Sequence, residues 1–244
     1  YSYEKRYGIR DYRGGGRSSA RVTAGWVAAG ALVQDFLEQQ GIRITAYVKQ
    51  IGKAVLQAPP KSYTAKDIEA NLVRCPEMET AQHMIAEIEE AKSENDSLGG
   101  VIECVVEGLT PGIGNPVFDK LNARLGFAML SINAVKGFEL GGGFEMTIKR
   151  GSEVKDEFYK EGDAVKTKAN FSGGIQGGIS NGQPIVFRVA FKPTATIGKE
   201  QRTIDKKGNA VLLEASGRHD PCVVPRAVPI VETLAALVIG DYLV

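Results

Sequence analysis

Histidine and cysteine are scarce in this chain. Two histidines, His83 and His219, and three cysteines, Cys75, Cys104 and Cys222, are spread over 244 residues. No C-x-x-C pair occurs and the histidines do not cluster, which argues against a metal site. An odd, widely spaced set of cysteines argues against a disulfide framework and fits a reduced, cytoplasmic compartment. Formal net charge is only +1, so bulk charge gives no reason to expect a nucleic-acid partner, and any basic site is local. No apolar run reaches the roughly 20 residues that cross a bilayer, and no signal peptide opens the chain, so no membrane partner is expected. Neither a Walker loop nor a G-x-G-x-x-G fingerprint is present. The first residue is Tyr1, just ahead of a charged motif, and the chain reads as N-terminally incomplete.

What is plentiful is glycine, 29 residues, which points to many tight loops near ligands or between strands. The densest cluster lies in residues 10–21, RDYRGGGRSSAR, with four arginines, three glycines in a row and two serines. It reads as a glycine loop entering a buried helix, with Ser18 or Ser19 as N-cap. Free helix N–H groups beside guanidinium groups suit an anion; arginines on a solvated loop are the plain alternative.

The rest of the chain reads as alternating helices and strands. Residues 19–40 have helical spacing, with Val22, Trp26, Ala29, Val33 and Leu37 on one face, small apolar residues on the others, and Gly41 as the stop. Ile42, Ile44, Ala46 and Val48 alternate with polar residues as a half-buried strand. Thr64 and Asp67 form a weak capping box. Pro76 opens a helix with the stripe Met78, Ala81, Ile85 and Ile88, on which His83 is a surface or packing residue. Residues 101–107 read as a strand, and Phe118, Leu121, Leu125 and Met129 mark a helix. Residues 131–144 read as strand, glycine bend, strand, with a simple hairpin as the alternative. Residues 151–168 form a mixed-charge loop. Asn181-Gly182 is a hairpin signal. Ile185, Phe187, Val189 and Phe191 form one face of a strand that delivers Lys192, Pro193, Thr194, Ala195 and Thr196. These offer either a phosphate site or an ordinary strand end. Lys206-Lys207-Gly208-Asn209 is a hairpin turn. His219-Asp220 invites a catalytic reading, with Asp220 as a helix N-cap before Pro221 equally good locally. A last apolar helix spans residues 230–243.

Residues 7–21, YGIRDYRGGGRSSAR, resemble the central signature of the chorismate synthase family. Residues 131–137, 173–182 with 192–196, and 218–222 match further family motifs in the same order, so the resemblance covers nearly the whole chain. It implies an α+β fold, a β-α-β sandwich with a helical core between antiparallel sheets, here as a single domain over residues 1–244. It also implies a carbon–oxygen lyase of the shikimate pathway, which makes chorismate by anti 1,4-elimination of phosphate from 5-enolpyruvylshikimate-3-phosphate. Reduced FMN is the family cofactor, the family assembles as a homotetramer, and some members use NADP(H) in a flavin reductase activity.

By the same resemblance, FMN contacts fall on Arg17, Ser18, Ser19, Asn133, Ala134, Gly177, Lys192, Pro193, Thr194, Ala195, Thr196 and Arg218. Ala20 and Arg21 fall to substrate, and Asp220 corresponds to the family's catalytic aspartate. Two departures go with it. The family's two catalytic histidines belong to a segment ahead of Tyr1, and Ala195 stands where the family carries a hydroxyl. The expectation is a chain incomplete as a catalyst, with a flavin- and substrate-binding fragment without turnover as the alternative.

Overall fold

Period-two alternation builds the centre of the molecule. The computed structural model describes residues 1–11, 14–213 and 219–244. Its helices are α1 (Ser2–Tyr7), α2 (Thr23–Gln39), α3 (Ala65–Ile68), α4 (Met78–Ser93), α5 (Leu121–Leu130) and α6 (Val224–Leu243). Its strands are β1 (Arg43–Ile51), β2 (Ala54–Val55), β3 (Gly100–Glu107), β4 (Val135–Leu140), β5 (Phe158–Glu161), β6 (Ala164–Thr167), β7 (Ile175–Gln176), β8 (Ile179–Ser180), β9 (Ile185–Phe191), β10 (Gln201–Ile204) and β11 (Ala210–Leu213). Five of them form one antiparallel sheet in the order β2-β1-β3-β9-β4. The α+β class and antiparallel pairing agree with the expectation.

One face of the sheet is apolar. Register sets Ala46, Cys104 and Phe187 in one row and Val48, Ile102 and Val189 in the next, and all six are buried. Helix α6 packs against β1 and β3, and the Glu232 carboxylate on α6 accepts a hydrogen bond from the Ala46 N–H (2.7 Å). The opposite face is polar. Tyr47 donates its hydroxyl to Glu103 (2.7 Å), Lys49 stands 3.7 Å from the same carboxylate, and Arg188 pairs with Glu139 at 2.9 Å. Both faces are covered at the middle of β1, where 45–48 are all buried. The half-buried strand expected there is therefore a fully covered one.

Helix α2 lies on α6. Small residues set the approach: a Cβ on Gly30 would strike Thr233, and one on Gly240 would come within 2.6 Å of Val33. Thr23, Gly30 and Leu37 are buried on this face, while Ala24, Ala28, Ala31 and Leu32 are exposed. The helix is thus covered on one side, not all round as its composition suggests. Its end follows the expectation. Gly41 has φ +78, its N–H bonds to the Glu38 carbonyl and the Ile42 N–H to that of Leu37, which is a Schellman closure. The Thr64–Asp67 capping box on α3 is present, and His83 is exposed on α4.

Other local expectations are corrected. Residues 143–148 form a 3₁₀ helix instead of a strand. The charged stretch 151–168 contains the β5–β6 hairpin, whose cross-strand pairs include Phe158 with Thr167. The hairpin turn near Asn181 lies earlier, at Gly177-Gly178 between β7 and β8, because both glycines have positive φ. The Lys206–Asn209 turn does join β10 to β11, with Asp205 accepting from the Lys207 and Asn209 N–H groups.

Candidate functional site

The arginine-rich stretch does not cap a helix. Two 3₁₀ turns, Gly16–Ser18 and Ala20–Val22, precede α2, whose N-cap is Val22. Ser19 uses its hydroxyl to donate to the Gly16 carbonyl (2.7 Å) and accepts from Arg21 Nε (3.1 Å), so neither serine hydroxyl caps α2. Tight turning here follows from Gly16, at φ +51. Arg17, Ser18 and Arg21 are exposed.

A succession of hydrogen bonds then links this stretch to three distant segments. Asn133 Nδ2 donates to the Ser18 carbonyl (3.1 Å). The next residue, Ala134, has φ +69, a left-handed conformation that costs a side-chain-bearing residue roughly 1–2 kcal/mol. Its carbonyl accepts from the Lys192 N–H (3.0 Å), which ties the turn after α5 to the end of β9. Thr194 donates its hydroxyl to the Asp220 carbonyl (3.1 Å), and Ser97 donates to the Thr194 carbonyl (2.8 Å). Leu98 N–H bonds to the Pro221 carbonyl at 2.8 Å, which fixes the segment entering α6.

The four segments close around a cavity of about 550 Å³. Ala20, Asn133, Ala134, Lys192, Thr194, Ala195 and Asp220, all named from the sequence, line it. Asp220 does not cap α6, whose N-cap is Val223. Instead its carboxylate pairs with Arg226 Nη1 at 2.9 Å. Ile132, Phe191, Val223, Ala227 and Ile230 supply the apolar wall. Two cations, two hydroxyls and an amide against one carboxylate, beside a broad apolar surface, suit a planar ring that carries an anionic tail. The volume is within the ~300–1,000 Å³ range of small-molecule sites. The donor set therefore fits a flavin phosphate.

Some named residues lie elsewhere. Arg17, Ser18, Ser19, Arg21, Pro193 and Thr196 do not line the cavity, and Pro193 and Thr196 are exposed. Gly177 sits in the β7–β8 turn, next to Gly178, whose carbonyl accepts from Leu121 at the start of α5. Asn133 follows the other end of that ten-residue helix, about 15 Å away along its axis. Arg218 falls outside the described residues. Sequence reasoning gave no role to Ser97 or Thr23, because a single hydroxyl carries no motif. Arg226 stands in the sequence as a charge between Pro225 and Ala227, with no partner to define it.

Cysteine chemistry has little support. Burial raises the thiol pKa of Cys75 and Cys104, and that of Cys222, two residues from Asp220, to about 11, which keeps them protonated near neutrality. Among the described residues, no group of three or more His, Cys, Asp or Glu side chains is arranged to hold a metal ion. Nor is any described helix long and apolar enough to cross a membrane.

A family model described as chorismate synthase matches residues 1–244. A chorismate synthase of Phocaeicola vulgatus is 57% identical over 242 residues, which is 99% of this chain and 68% of that protein. One from Gloeothece citriformis is 54% identical over 244 residues, covering 99% of this chain and 67% of that protein. A crystal structure of chorismate synthase superposes with a TM-score of 0.81 at 34% identity, over 99% of this chain and 69% of that one. The chain thus spans about two thirds of the length of these relatives.

Proposed function

The chain belongs to the chorismate synthase family, a family of lyases, and on that premise we propose that its cavity binds reduced FMN and 5-enolpyruvylshikimate-3-phosphate for anti 1,4-elimination of phosphate. The observation that carries this reading is a set of three hydrogen bonds, Asn133 to the Ser18 carbonyl, the Lys192 N–H to the Ala134 carbonyl and Thr194 to the Asp220 carbonyl, that ties these segments together. Four segments far apart in sequence are held at one cavity, and each carries a motif of the family.

Each residue has work that its chemistry suits. Lys192 holds phosphate oxygens by a charge-assisted hydrogen bond, while Thr194, through its bond to the Asp220 carbonyl, keeps the Asp220 segment beside it. By the family resemblance, Arg17, Ser18 and Ser19 would contact the flavin, and Ala20 and Arg21 the substrate, with the guanidinium of Arg21 suited to its carboxylates. The apolar wall of Ile132, Phe191, Val223, Ala227 and Ile230 offers a surface for the flavin ring. Asp220 takes up and returns a proton at its carboxylate during turnover. Held there, reduced FMN would supply the transient electron for the elimination and take it back. In the reaction the bond from ring carbon to phosphate oxygen breaks and a ring proton leaves, with no net redox change.

The alternative reading is binding of flavin and substrate without turnover. Anaerobic incubation with chemically reduced FMN and the phosphate ester separates the two. Phosphate release with chorismate formed supports the elimination. FMN binding without phosphate release supports the second reading. Absence of both contradicts the assignment of the cavity. The cytoplasmic compartment and the homotetramer belong to the same proposal, and gel filtration with light scattering tests the latter.

A further inference from the structure

We propose that Arg226 is a positioning residue of this site: it holds the Asp220 carboxylate in place and neutralises it against the anions that the cavity takes. The proposal rests on the reading of the cavity as an FMN and phosphate-ester site. Arg226 Nη1 lies 2.9 Å from Asp220 Oδ2. Both side chains line the 550 Å³ cavity, and both also line a neighbouring one of about 660 Å³ that holds His219, Glu89 and Lys92. The ion pair is therefore the partition between the two spaces.

Both ends of the pair are fixed by the fold. Arg226 is in the first turn of α6, its N–H bonded to the Val223 carbonyl (3.1 Å), and the neighbouring Ala227 and Val228 are buried. Asp220 is held through its own carbonyl by Thr194, and the following residue is held by Leu98. A guanidinium carried on a packed helix sets a carboxylate more closely than one on a loop. Arg226 itself is mostly exposed, its side chain at 73%, so a purely structural purpose gives little return.

The charges facing the cavity make the proposal testable. Lys192 and Arg226 oppose Asp220, leaving one net positive charge toward a bound anion. Removing Arg226 alone leaves Asp220 to cancel Lys192 and to repel phosphate. Removing both partners restores the original balance. An effect exerted through Asp220 thus disappears when Asp220 is neutral, whereas a direct grip on the anion does not.

FMN affinity of the unsubstituted chain, Arg226→Gln, Arg226→Lys, Asp220→Asn and the double variant is read by flavin fluorescence quenching, with thermal melts on each. The expected result is a loss of about tenfold in Arg226→Gln. Arg226→Lys retains affinity within about threefold, and the double variant stays within about threefold of Asp220→Asn. Melting temperatures change little, as for other exposed side chains. An equal loss on both backgrounds, or no loss in Arg226→Gln, overturns the positioning role while leaving the FMN site standing. No FMN binding by the unsubstituted chain overturns the site reading and this proposal with it.

Discussion

At the scale of single residues, the chain shows how burial changes what a carboxylate does. Glu232 sits between α6 and β1, where desolvation is the largest influence on it and raises its pKa from 4.5 to about 7, against the opposing pull of the Ala46 N–H and of Arg74. Between those two values the unfolded chain has lost the proton and the folded chain keeps it. Stability from this residue is therefore complete below about 4.5 and lost as pH rises through about 7. Glu232→Gln keeps an acceptor for Ala46 and removes the charge. Denaturant titrations should show it more stable than the unsubstituted chain above pH 7, by up to about 3 kcal/mol. The gain should shrink to nothing toward pH 4.5. A gain that is constant with pH would contradict the linkage. Nothing in the sequence announces this, since a glutamate in an apolar helix looks like any other until its neighbours are known.

At the scale of elements, much of the local structure was legible and its burial was not. The Schellman closure at Gly41, the Thr64–Asp67 capping box and strand β9 with its alternate burial all follow from short-range chemistry. By contrast, residues 16–22 look like a helix start but form two 3₁₀ turns, because their hydroxyl and guanidinium groups bond within the stretch. The β5–β6 hairpin was hidden by its mixed charge, because all but one of its strand residues are exposed and its alternation has no apolar face to display. Helix α2 has glycines of two kinds, which a pair of substitutions separates. Gly25 has nothing within 4 Å of a new Cβ, whereas Gly30 would meet Thr233 backbone and side chain. Gly25→Ala should stabilise by about 0.5–1 kcal/mol, and Gly30→Ala should destabilise by about 1–3 kcal/mol in the same unfolding assay. Equal effects from the two would mean that α2 and α6 do not approach as closely as described.

At the scale of the whole molecule, the site is a tertiary product. Motifs near residues 17, 133, 192 and 220 could be recognised one by one, and the family resemblance put them in order. What no linear reading supplies is the contact between them: Asn133 reaching the Ser18 carbonyl, or Thr194 reaching that of Asp220. Gly177 marks the other side of that limit, since it belongs to the same set of motifs yet lies at the far end of α5 from Asn133. The central claim is that four separated segments answer to one ligand, and amide hydrogen exchange with and without FMN and the phosphate ester addresses it directly. The account predicts that binding slows exchange together in residues 14–22, 131–135, 192–196 and 219–223, with the β5–β6 hairpin unaffected. Protection confined to a single segment, or absent from all four, would contradict it.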